Sequence, residues 1–116
     1  MRTVLLGLAL MAGPAFADDA VIEGATARAS ASGWSFSVTL RHAETGWDDY
    51  ADGWRVEAED GEVLGTRVLA HPHVNEQPFT RSLSGVVVPE GTTAIVIRAR
   101  TSADGWGEDL YQLDLP

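Results

Sequence analysis

Apolar and polar residues alternate along most of this chain. Trp34, Phe36, Val38 and Leu40 interleave with Ser35, Ser37, Thr39 and Arg41, the period-2 signature of a half-buried strand. A weaker alternation of small residues covers Ala20 to Ala29. Trp54, Val56 and Ala58 alternate with Arg55, Glu57 and Glu59, and Asp60-Gly61 follows as a tight-hairpin signal. Glu62 to Ala70 then reads as the partner strand. Phe79 to Val88 is another β-rich run, closed by Pro89-Glu90-Gly91. Ala94 to Thr101 is the most β-branched segment, and Leu110 to Leu115 adds a last alternation. No window carries helical periodicity with caps. About seven short strands with regular turns predict an all-β fold, an antiparallel immunoglobulin- or fibronectin-like β-sandwich. Trp54 suits the buried tryptophan of such sandwiches. The cysteine pair and tyrosine corner of antibody domains are missing, so the likeness is architectural.

The first segment reads differently. One positive charge at Arg2, an apolar run from Val4 to Met11, the break at Gly13-Pro14 and the small-x-small end Ala15-Phe16-Ala17 fit a secretory signal peptide over 1–17. A run that short does not span a membrane. The sequence therefore predicts a single domain over 18–116, exported to the bacterial periplasm or medium, monomeric and without a lipid anchor, since no cysteine is present.

Composition removes several chemistries. The 116 residues carry a formal net charge of −9. Beyond residue 17, seven arginines face 17 acids, a net −10, with no Lys, Cys or Met. A phosphate backbone needs clustered cations, so no nucleic-acid partner is expected. Thiolate catalysis, blue-copper sites, Schiff bases and Ser-Lys mechanisms all lack their residues. No Gly-x-Ser-x-Gly elbow or phosphate-binding glycine loop occurs. A carboxylate pair among so many acids carries no specific warrant for glycoside hydrolysis. The chain is read as non-enzymatic.

In a sandwich of successive antiparallel strands, alternate loops emerge together. His42–Gly53, His71–Pro78 and Ser102–Asp109 then share one end, which gathers all three histidines. His71-Pro72-His73 is the most specific local feature. Proline extends the preceding backbone, and residues i and i+2 of an extended chain project to one side. His71 and His73, with His42 and Glu76, form a candidate site for Zn²⁺ or Cu²⁺. Asp49 or Asp104 would orient an imidazole from behind. The plainer alternative is that the histidines cap strand ends and bond nearby carboxylates.

Asp48, Asp52, Gly53 and Glu59 match positions 1, 5, 6 and 12 of an EF-hand, but Tyr50 stands at position 3 and strands flank the loop, so that reading is rejected. Trp47, Tyr50 and Trp106 beside carboxylates suit sugar stacking in principle; closing the sandwich end like lids explains Trp47 and Trp106 as well. A further alternative is a periplasmic protein–protein interaction module, with Trp47, Trp106 and Phe79 as anchors and the acidic surface steering a basic partner.

The strings from Gly46 to Trp54 (GWDDYADGW) and from His71 to Ser82 (HPHVNEQPFTRS) resemble segments of small exported bacterial proteins of uncharacterised function. The resemblance runs from His42 to Ala99. It implies an exported single-domain protein and assigns no role to any residue.

Overall fold

The computed structural model describes residues 18–116; the signal peptide expected over 1–17 lies outside the described residues. The described chain forms eight strands: β1 (Val21–Ser30), β2 (Gly33–Arg41), β3 (Ala51–Glu57), β4 (Val63–Val68), β5 (Phe79–Val86), β6 (Ala94–Thr101), β7 (Gly105–Trp106) and β8 (Tyr111–Asp114). They make two antiparallel sheets. One runs β1-β2-β5; the other runs β4-β3-β6-β7, with β8 also paired to β6. The architecture is the all-β sandwich that the alternation predicts.

The core lies where the alternating faces meet. Phe36, Val38 and Leu40 of β2 are buried with Trp54 and Val56 of β3 and Ile95, Ile97 and Ala99 of β6. Their polar neighbours point outward. On the small sheet they pair across strands: Ser35 with Ser84, Ser37 with Ser82 at 2.7 Å, and Thr39 with Thr80 at 2.7 Å. Ser37–Ser82 and Thr39–Thr80 sit directly opposite one another in the β2–β5 register, Ser35–Ser84 falls at the register shift between Trp34 and Phe36, and all three pairs satisfy each other without charge.

Two expectations need adjustment. β3 begins at Ala51 rather than Trp54, because a bulge between Ala51 and Gly53 interrupts the period and buries Ala51, Gly53 and Trp54 together. The turn after β6 is also short. Gly105, at φ 78°, lets the chain fold back so that Trp106 pairs with Arg100 as β7.

The registers fix the loop end. Leu40 at the end of β2 pairs with Phe79 at the start of β5, and Ala51 at the start of β3 pairs with Thr101 at the end of β6. Gly53 pairs with Val68 at the end of β4. The β2–β3 and β4–β5 connections and the turn after β6 therefore emerge together.

Candidate functional site

The loop end is built around a carboxylate that is absent from the sequence-derived set. Glu44 is buried. Its Oε2 accepts the Ala51 N–H at 2.6 Å and faces His42 Nδ1 at 3.1 Å; its Oε1 accepts the His73 N–H at 2.6 Å. One side chain thus ties the start of β3, the end of β2 and the β4–β5 loop. Gln77 adds a second tie: its Oε1 accepts the His42 N–H at 2.9 Å and its Nε2 donates to the His73 carbonyl at 3.0 Å. No alternation or motif marks Glu44. Its role comes from the loop backbone pointing two N–H groups at one place, and that placement arises only on folding.

His42 belongs to this clamp. Its Nδ1 faces the Glu44 carboxylate and its Nε2 lies 2.9 Å from the Asp18 carbonyl. Asp49 Oδ1 stands 3.6 Å from the same Nε2, so of the two carboxylates expected behind an imidazole it is Asp49 that lies there. Both ring nitrogens of His42 face protein oxygens inside the clamp, so the ring is already engaged there.

His71 and His73 remain together, their ring centroids 4.8 Å apart. His71 is exposed. His73 is buried, stacked on Phe79 at 4.0 Å and 13°, and among the described residues neither of its ring nitrogens has a hydrogen-bond partner. Burial pushes the His73 imidazole below its ordinary pKa, and the charges of Arg81 and His71 add to that. Glu76 is exposed and bound to Arg81, Oε1 to Nη2 at 3.0 Å; that hydrogen bond leads in lowering its carboxyl. Among the described residues, no group of three or more histidines, cysteines or acids is disposed to hold a metal ion. The four-residue set His42, His71, His73 and Glu76 is therefore not assembled: His42 is spent on Glu44 and Asp18, and Glu76 on Arg81. Asp104 uses its N–H on Thr101 Oγ1 at the turn after β6.

The two loop tryptophans part company. Trp47 is 67% exposed at the tip of the β2–β3 loop and meets Tyr50 edge-on, with centroids 5.5 Å apart at 77°. Backbone bonds set the tip, Thr45 N–H to the Asp49 carbonyl and Asp49 N–H to the Gly46 carbonyl, both 3.2 Å, with Gly46 at φ 135°. Tyr50 is in turn bonded to Ser102, its N–H to Oγ at 3.0 Å and its carbonyl to the Ser102 N–H at 2.8 Å. Trp106 is not a lid. It is half-buried on the larger sheet, with the Arg55 guanidinium 4.0 Å and the Arg100 guanidinium 6.0 Å from its ring.

Beside Trp106, Glu57 receives Arg55 Nε at 2.7 Å and Arg98 Nε at 2.8 Å, while Asp52 pairs with Arg100. Burial alone would raise the Glu57 carboxyl, but hydrogen bonds and charges from Arg98 and Arg55 outweigh it and the group sits below its ordinary value. A depressed carboxyl stabilises the fold above its unfolded pKa, and that stability is lost as the pH falls further. Acid unfolding should therefore steepen below about pH 4.3. Glu57→Gln should flatten that limb in urea midpoints measured from pH 3 to pH 7; an unchanged limb would show that Glu57 does not drive it.

No family model matches the chain, and no solved structure does. A curated protein of Halomicrobium mukohataei named "Putative lipoprotein" is 47% identical over 79 residues, which cover 68% of this chain and 38% of that protein. The chain thus spans well under half the length of the relative it matches.

Proposed function

We propose that this is an exported, cell-envelope β-sandwich that acts as a binding module and docks a protein partner through the tip of its β2–β3 loop. The name of the Halomicrobium relative supports the location; for this chain the finer choice is a periplasmic or secreted protein, with the leader over 1–17 removed. The observation that carries the docking role is Trp47, two-thirds exposed on a tip held rigid by its own backbone. Tryptophan and tyrosine dominate interface hot spots because they bring large area at low entropic cost. A fixed tip loses little further freedom on binding. The net charge of −9 would steer a basic partner and make association slow as salt rises.

Trp47→Ala should abolish capture of a partner from envelope extract while leaving the thermal midpoint within about 4 °C, since an exposed substitution costs within about 0.5 kcal/mol. Capture that survives Trp47→Ala would remove the tip from the interface. A second reading, a divalent transition ion held at the same end, rests on a different observation, the unpaired imidazole of His73.

A further inference from the structure

We infer that His71 and His73 alone form a two-imidazole site for Cu²⁺ or Zn²⁺, with the remaining coordination positions left to water or to a bound donor. The inference specifies the second reading above and is independent of docking at Trp47.

Three features of the pair point to an ion. The first is His73. A buried polar atom without a partner is rare in folded proteins and calls for an explanation. Here both nitrogens of one ring are in that state, although Glu44 and Gln77 bond the His73 backbone on either side. Packing explains the ring's position, flat on Phe79, but not its empty nitrogens.

The second feature is the protonation pattern of His71. Its Nδ1 lies 3.2 Å from the Pro72 carbonyl, an acceptor, so Nδ1 carries the proton and donates. The lone pair is then on Nε2 of an exposed ring. A backbone carbonyl receiving the other N–H is the usual support of a metal-bound imidazole, because it fixes the tautomer and the ring plane.

The third feature is spacing. Centroids 4.8 Å apart put the two rings within reach of one ion bonded at about 2.0–2.1 Å to a nitrogen of each. Cu²⁺ stands at the top of the affinity order for nitrogen sites, with Zn²⁺ below it. Two protein ligands leave the sphere open, which suits uptake and release or recognition of a donor group better than a permanent structural ion.

Tag-free protein is titrated with CuCl₂ and ZnCl₂ by calorimetry at pH 7, and the Zn²⁺ titration is repeated with histidine ring resonances followed by NMR. His71 is exposed, so His71→Ala should fold; His73→Phe preserves the stack on Phe79. One ion should bind per chain, shifting the rings of His71 and His73 and leaving His42 still, and each variant should weaken binding at least about tenfold. Binding unchanged in His71→Ala, or shifts centred on His42, would place the ion elsewhere and overturn this assignment while the metal reading stands. No binding by millimolar ion would overturn both.

Discussion

Glu44→Ala should unfold the loop end and cost about 3–5 kcal/mol, as expected when one partner of a buried charged network is removed. The Glu44 side chain accepts two backbone N–H groups at 2.6 Å and faces the His42 ring at 3.1 Å. Alanine leaves all three donors buried and unpaired, and unpaired donors cost more than the hydrogen bonds themselves gained. Glu44→Gln is the sharper probe. Each carboxylate oxygen holds its own backbone N–H, so an amide must turn its NH₂ toward a donor whichever way it sits. Glutamine should therefore also destabilise, by less than alanine. For a domain of this size the alanine variant should melt on the order of 15 °C or more below the parent. Urea unfolding followed by tryptophan fluorescence reads both variants; a Glu44→Gln midpoint equal to the parent's would show that the clamp carries no stability.

The second large effect is expected at Trp54. It is fully buried between the sheets, beside Val56, Ile95 and Ile97. Trp54→Ala removes the largest fully buried side chain and should cost about 3–5 kcal/mol, transfer and cavity together. Against a total stability of about 5–15 kcal/mol, that brings the fold close to its limit. Trp54→Phe should cost much less, because among the described residues the indole Nε1 has no hydrogen-bond partner to lose. If Trp54→Phe proved as damaging as Trp54→Ala, shape at this position would outweigh buried volume. Trp47 makes the contrast: seven positions earlier, on the loop before β3, the same residue type is largely exposed.

Much of this fold is readable because alternation and burial agree. Ala94 to Thr101 is a strand with the predicted limits, since Ile95, Ile97 and Ala99 fall on one face without interruption. The gathering of loops at one end follows from strand order, and the registers bear it out. What escapes the pattern has physical causes. A bulge adds a residue and breaks the period, hiding the start of β3. Trp106 reads as a loop aromatic because its partners, Arg55 and Arg100, lie on other strands. The histidines are legible as neighbours in space but not in their bonds. His42 stands next to the Asp18 carbonyl and Glu44, contacts that depend on chain geometry outside its own strand, and so it serves as a strap where spacing suggests a ligand.

The loop tip is closed by main-chain bonds alone, from Thr45 to Asp49 and from Asp49 to Gly46, while Glu44 and Ser102 anchor its two ends. The hydrogen bonds of that frame leave out the side chains at 47 and 48, while Trp47 packs edge-on against Tyr50. On the proposed docking role, substitutions at 47 and 48 should alter what the tip recognises while its main-chain frame stays closed, as residues of antibody loops do.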